Sequence, residues 1–423
     1  MKRLRRTDIL VIGGGAAGIS AAIAAKTTDP KKEVTLVGEE PFPYRRPSIF
    51  SLIEGESLED LAIFGPNCLA EYGIKSLFGA KIKALDLEDR LARFEDGKRI
   101  SFEKAVIATG GEPFVPPVEG SSMNGVFSLR SYSDALRIRE MAHAGARCFI
   151  VGAGLIGVKL ASILHKREVK VTLVELKKVL WTLLEEPLSE FVRDLLISNG
   201  ISVVEGQGIE SIMGQEHVSS VKLSGKRYNA DFVVFVTGVR PRVEVIADQL
   251  KFGVRGAIET DQMMRTSVEG VYACGDCSET IDLISGMKTY RPIGSIAYRA
   301  GIIAGGNLGG EERSYGGFLR LQGDEFLGTS VTSVGLTGAE ARALGISFKA
   351  LILKQAQSLK IGICSGLFEP DAKFLGILDG KERLIGFQAV GHKLSRKAIH
   401  SISSLISSKS KLEELRSIGL EPT

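Results

Sequence analysis

The chain is poor in sulfur, in histidine and in net charge. Its five cysteines, at positions 68, 148, 274, 277 and 364, are too few and too irregularly spaced for a disulfide framework in 423 residues, so reduced thiols are expected. Cys148 and Cys364 lie in apolar runs and read as small core hydrophobes. The histidines (143, 165, 217, 392 and 400) show no paired spacing, so Cys274-Gly-Asp-Cys277 lacks the partners of a four-ligand zinc site and no metal is expected. The formal net charge is only +4, with Lys and Arg scattered except at Met1-Lys-Arg-Leu-Arg-Arg6, which argues against a nucleic-acid partner. No run of about 18 apolar residues occurs, which argues against a membrane-spanning helix. The basic start meets the first strand without an apolar leader segment, so a solvated N-terminus and a cytoplasmic protein are expected. A hydrophobic fraction of 44% against 25% charged fits an ordinary globular protein, and the length calls for two or three domains.

Glycine, by contrast, is placed with care. Gly13-Gly14-Gly15-Ala16-Ala17-Gly18 follows the apolar run Asp8-Ile-Leu-Val-Ile12, and Gly152-Ala153-Gly154-Leu155-Ile156-Gly157 follows Cys148-Phe-Ile-Val151. Each turn ends a strand-like run and opens an apolar, helix-like run, so backbone N–H groups and the positive helix end can face a pyrophosphate. One such motif is weak evidence, because glycines also serve ordinary turns. Here the context repeats: both helices lead to a second strand, Glu33-Val-Thr-Leu-Val37 and Lys170-Val-Thr-Leu-Val174, with acidic residues at or just past its end. Two bound dinucleotides are the expectation.

The repeat extends to whole domains. Lys104-Ala-Val-Ile-Ala-Thr-Gly-Gly111 reads as a buried strand ending in a glycine turn, and Asp231-Phe-Val-Val-Phe-Val-Thr-Gly-Val-Arg-Pro241 echoes it. Before the first of these, short strands alternate with turns from about Lys81 to Ile100; between the two, Pro113 to Pro117 forms a linker and Ser133 to His143 has helical spacing. Pro41-Phe-Pro-Tyr-Arg-Arg-Pro47 is a stiff extended loop that puts Arg45 and Arg46 near the expected first diphosphate. Val268 to Asp276 gives another strand leading to a glycine and an acid, and Gly294 to Gly306 a small-residue helix. Residues from about Ser314 to Thr423 carry no nucleotide motif; they mix strands with helices such as Gly338 to Leu344, and the serine-rich end is expected to be mobile.

These features in this order resemble the FAD- and NAD(P)-dependent pyridine nucleotide-disulfide oxidoreductase superfamily over essentially the whole chain. Gly38 to Pro47 is similar to the loop of rubredoxin, ferredoxin and nitrite reductase flavoproteins, and Val334-Gly-Leu-Thr-Gly-Ala-Glu-Ala341 to the dimerisation domain of NADH oxidases and coenzyme A disulfide reductases. The resemblance implies an α/β fold with two Rossmann-like domains, an FAD-binding one (1–113 and 242–313) interrupted by an NAD-binding one (114–241), and a C-terminal α+β dimerisation domain (314–423). It further implies that Gly13, Gly15 and Gly18 face the FAD pyrophosphate, that Glu39 or Glu40 binds its ribose, and that Arg46, Thr109, Gly110 and Asp276 lie along it. The helix carrying Gly294 and Ala297 would aim its N-terminus at the flavin pyrimidine. Gly152, Gly154, Leu155, Ile156, Gly157, Glu175 and Gly238 would hold the nicotinamide nucleotide. Glu175 suits both ribose hydroxyls and repels a 2′-phosphate, favouring NADH, while Lys177 and Lys178 blunt that preference and leave NADPH possible.

Two departures from the family pattern stand out. Relatives that reduce disulfides carry a C-x₄-C pair or one cysteine on the loop after Tyr44, where this chain has Pro47 or Ser48. Exchange with a disulfide needs a thiolate, so that route is closed unless Cys68 or Cys274-x-x-Cys277 takes over. Lys159 stands where the family usually places a glutamate beside the nicotinamide and flavin. It is a candidate catalytic group, through its charge or through a neighbouring acid, and otherwise an ordinary surface lysine. The chain also ends at Gly419-Leu-Glu-Pro-Thr423 with no tyrosine after Tyr315, unlike the aromatic tail of coenzyme A disulfide reductases.

The expected activity is transfer of hydride from NADH to FAD and of electrons directly to oxygen, a quinone or dye, or a carrier protein such as rubredoxin or ferredoxin. Alternatives are a thiol or disulfide reductase that borrows a substrate thiol such as coenzyme A, an electron-transfer subunit of a larger redox complex, and a non-catalytic redox sensor. A homodimer is expected.

Overall fold

The structure, a computed structural model, describes residues 5–65, 67–246, 248–355, 372–391 and 393–422. Cys364 and His392 lie outside the described residues. Contacts divide the chain into two compact units, 1–112 with 239–318, and 113–238 with 319–423.

In the first unit the strands Ile74–Phe78, Val34–Gly38, Arg5–Ile12, Arg99–Ile107 and Val271–Ala273 lie side by side in parallel. Register is set by wholly apolar pairs such as Val11 beside Val106 and Ile12 beside Ile107. Val34–Gly38 and the carboxyl-terminal halves of Arg5–Ile12 and Arg99–Ile107 are buried on both faces, which is why those stretches read as apolar runs without alternation. Ile82–Asp86 and Leu91–Phe94 extend the sheet as an antiparallel meander, as the alternation before Ile100 predicts. Strand order reverses between Arg5–Ile12, whose neighbour is the second strand, and Arg99–Ile107. That reversal opens a crevice at the carboxyl ends of the two central strands.

The second unit repeats this order in Ser202–Glu205, Lys170–Glu175, Arg147–Val151, Phe232–Phe235 and Val126–Ser128, all parallel. The expected helix before it is Tyr132–Met141, started by a capping box between Ser131 and Asp134. The same unit holds an antiparallel sheet in the order 321–326, 329–335, 384–391, 373–379, 348–355, 420–422. The tail expected to be mobile is structured. Ala398, Ile402 and Ile406 bury one face of helix Arg396–Ser407, and Leu420–Pro422 pairs with Leu353–Gln355 as an edge strand. The serine count hid an apolar residue at every fourth position.

Helices Ala16–Thr28 and Gly294–Leu308 are in unusually close contact. A Cβ at Gly301 would overlap Ala17 O and Ser20 Oγ, and one at Gly305 would overlap Ala21 O. Ser20 Oγ also donates to Tyr298 O at 3.0 Å. Alanines on one helix therefore face glycines on the other, and both small-residue patterns have one cause. Gly301→Ala is expected to destabilise the protein by about 1–3 kcal/mol through overpacking, read as a lower urea midpoint; an unchanged midpoint would mean that the helices are not held this closely.

Candidate dinucleotide sites

Both glycine turns leave the central strand of their sheet and share one construction. Gly13 has φ +124°, and a Cβ there would strike Ala108 O; a Cβ at Gly18 would strike Gly13 O. Gly152 has φ +107° and abuts Val236 O in the same way, and Gly157 abuts Gly152 O. The first and last glycine of each turn are thus required by backbone packing. The middle ones are not: around the Cβ positions of Gly15 and Gly154 no heavy atom lies within 4 Å. That open side is where a pyrophosphate needs to approach. Helices Ala16–Thr28 and Leu155–Lys166 start at Gly15 and Gly154 without a side-chain cap, leaving first-turn N–H groups for an anion.

Across the first crevice, Thr109 Oγ1 donates to Arg242 O at 2.6 Å and Arg242 N to Gly110 O at 3.0 Å. Arg242 grips Glu39 with two hydrogen bonds of 2.8 Å, and that contact raises the guanidinium pKa further. Glu40 accepts from Tyr44 Oη at 3.0 Å and pairs with Arg46, whose guanidinium lies over the Tyr44 ring. Arg45 turns instead to Asp60 O. Phe78, which carried no sequence signal, packs on Gly14 and Gly38 and fills the place that Glu175 takes in the second unit. Gly275 (φ +83°) sits against Ala17 and Ala297, so Asp276 stands where the uncapped N-termini of the Ala16–Thr28 and Gly294–Leu308 helices converge. The structure therefore brings Gly13, Gly15, Gly18, Asp276 and Ala297 to one locus, and Glu39, Thr109 and Gly110 to another along the same crevice.

In the second unit Glu175 accepts from Ala153 N at 2.8 Å and Lys177 N at 3.0 Å, which locks its carboxylate beside the glycine turn. Gly238 accepts from Phe114 N opposite that turn. Leu155 and Ile156 open the helix, and Ile156 is exposed. Both crevices fit a dinucleotide on this cradle of backbone and fixed carboxylates.

Residues 7–290 match the pyridine nucleotide-disulphide oxidoreductase family. The chain belongs to this family. An NADH oxidase of Methanocaldococcus jannaschii is 32% identical over 419 residues, 96% of this chain and 92% of its own. A CoA-dependent NAD(P)H sulfur oxidoreductase of Pyrococcus abyssi is 30% identical over 92% of this chain and 88% of its own. The structure of an NAD-dependent persulfide reductase from A. fulgidus covers 97% of this chain and 78% of its own, with a TM-score of 0.87 and 27% identity. As a family member, the protein is an FAD-dependent NAD(P)H oxidoreductase with an α/β fold built on parallel, Rossmann-like cores.

In this pyridine nucleotide-disulphide oxidoreductase the four described thiols differ in place and burial, with Cys277 held against Ile107 O, 3.4 Å away, at the end of the strand that leads to Thr109. Cys274 and Cys277 are fully buried and unpaired by any disulfide, and they belong to different apolar clusters on opposite faces of the first sheet. Burial raises both thiols above their ordinary pKa, Cys274 well above, which disfavours the reactive thiolate. Cys68 begins a short helix leading into Ile74, at the strand's amino end, where helix Ala16–Thr28 terminates and Lys26 lies against Gly73. That is the rim opposite the glycine turn. Cys148 is buried in the second unit, as its apolar setting predicts. Among the described residues no cluster fit for a metal occurs and no helix is long and apolar enough to cross a membrane.

Lys159 pairs with Asp324 of strand Leu321–Phe326, and about a quarter of each side chain is exposed. A nearby contact, Leu327 N to Ser162 Oγ at 3.3 Å, joins the same helix to the hairpin that follows this strand. Lys159 is thus part-buried and paired with an acid of the same unit.

Two outcomes follow from these placements. Alkylation of the native protein followed by peptide mapping is expected to label Cys68 and to leave Cys274 and Cys277 intact; rapid labelling of either would contradict their burial. Lys159→Met and Asp324→Asn are each expected to cost about 1 kcal/mol, with the double variant little worse than either single one. Additive losses would mean that the two charges act independently.

Proposed function

We propose that the protein takes two electrons from NADH and delivers them directly to an acceptor, without a thiol of its own in the relay. FAD, when bound, would supply the redox chemistry between the nicotinamide and the acceptor. The chain supplies position and electrostatics. The first turn and the converging helix ends at Asp276 hold the FAD diphosphate and ribityl region, and Glu39, fixed by Arg242, takes the adenosine ribose. The second turn holds NADH, and Glu175 accepts from its ribose hydroxyls while repelling a 2′-phosphate. Lys159 acts as a positioning residue: through Asp324 it sets the helix that carries the second glycine turn.

The observation that carries this reading is the distribution of thiols. Pro47 or Ser48 stands where the family resemblance places a cysteine, and among the described residues Cys68 is on the far rim while Cys274 and Cys277 are buried on opposite faces of a sheet. Disulfide exchange requires an accessible thiolate. Oxygen, a quinone or a small carrier protein needs only access to the FAD.

A second reading is favoured by the likeness to the CoA-dependent sulfur oxidoreductase over nearly the whole chain: a substrate thiol replaces the absent cysteine. Coenzyme A that copurifies and is needed for turnover would support it. To decide, the holoprotein is alkylated with N-ethylmaleimide and assayed for NADH-dependent dye reduction, alongside Ser48→Ala. Both are expected to retain activity within about twofold of the untreated protein, since no bond to sulfur is made or broken. Loss of activity in step with alkylation would overturn the proposal.

A further inference from the structure

The segment between strand Lys170–Glu175 and helix Glu186–Ser198 carries the single tryptophan of the chain, Trp181. It is tightly fixed. Leu180 N donates to Ala153 O of the glycine turn at 2.9 Å, and Val179 N to Glu205 Oε1 at 2.7 Å. Val179 and Leu180 are fully buried, and Leu180 adopts φ +55°, a conformation that a side chain of this size enters only where the surroundings impose it. The indole beside this anchor is only partly buried. Over its ring, 3.6 Å from the centroid, lies the ammonium of Lys177.

Lys177 is two residues past Glu175, where a cation is well placed to accept a ribose 2′-phosphate. The neighbouring lysine is committed elsewhere: Lys178 pairs with Glu186 at 3.6 Å and Glu205 at 3.8 Å. Discrimination between the two nicotinamide nucleotides therefore depends on two elements, the repulsion from the fixed Glu175 carboxylate and the availability of Lys177.

We propose that Trp181 is a specificity-determining residue: its indole face retains the Lys177 ammonium and so withholds a nearby cation able to reward a 2′-phosphate. The attraction is electrostatic, between the cation and the negative face of the ring, and tryptophan is the strongest partner for it. This inference rests on the reading that the second glycine turn binds NADH.

Calorimetry on the full-length protein with two fragments that lack nicotinamide, adenosine 2′,5′-bisphosphate and 5′-AMP, tests it without turnover. Trp181→Leu is expected to tighten the bisphosphate about tenfold, in line with a cation–π contact of 1–2 kcal/mol, while 5′-AMP stays within about twofold. Trp181→Phe is expected to fall between, and Lys177→Ala placed on Trp181→Leu to abolish the gain. In the otherwise native protein, Lys177→Gln is expected to leave both affinities within about twofold, because the ammonium is already engaged; this variant keeps the indole and its packing. An unchanged bisphosphate-to-AMP ratio in a folded Trp181→Leu protein, or a large bisphosphate loss in Lys177→Gln, would overturn the proposal. Native protein that prefers the bisphosphate to 5′-AMP would instead remove the NADH reading.

Discussion

The rest of the structure depends on a contact that only glycine permits, the approach of a helix's first turn to the carbonyl of the turn that starts it. Gly18 against Gly13 O and Gly157 against Gly152 O leave no room for a methyl group. Gly13 and Gly152 must also pass within contact of the neighbouring strand's end, at Ala108 and Val236. These contacts set the two helices down on their sheets and aim uncapped N–H groups into the crevice beside the chain reversal. In the first unit, the same logic is used again where Gly275 lets Ala17 and Ala297 come together, and where Gly301 and Gly305 seat one helix on another. The cofactor cradle and the core packing are one arrangement of small residues.

Chemistry is separated from this scaffold. Cys274 and Cys277 fall within three residues of each other yet face different cores, because the chain crosses from one face of the sheet to the other between them. Burial raises the pKa of both and disfavours the thiolate, for the same reason that makes them good packing groups. Charged side chains around the crevices are likewise committed: Arg242 to Glu39, Lys159 to Asp324, Lys178 to Glu186 and Glu205. Such pairing holds each of these charges in one place.

The parts legible in the sequence are those encoded locally. The glycine turns, the apolar strands that precede them and the duplicated Thr-Gly endings after Ala105 and Phe232 can be read from spacing alone, and the parallel sheets follow from them. The partners of single charges are not local. Glu39 and Arg242 are joined only because the chain leaves the first unit and returns, and Asp324 meets Lys159 through a strand far along the chain. Phe78 was missed because an aromatic at the end of a strand looks like any core residue until its neighbour proves to be Gly38. The end of the chain was misread for the opposite reason: serines dominate its composition, while Ile402, Ile406 and Leu420 decide its structure.

The central claim is that FAD is the only two-electron centre in the protein. Anaerobic titration of the FAD-loaded protein with NADH, following the flavin absorbance, tests it most directly. Bleaching complete at one equivalent is the predicted result, since among the described residues Cys68 stands on the far rim and Cys274 and Cys277 face different cores. A requirement for two equivalents would reveal a redox-active disulfide and contradict the account.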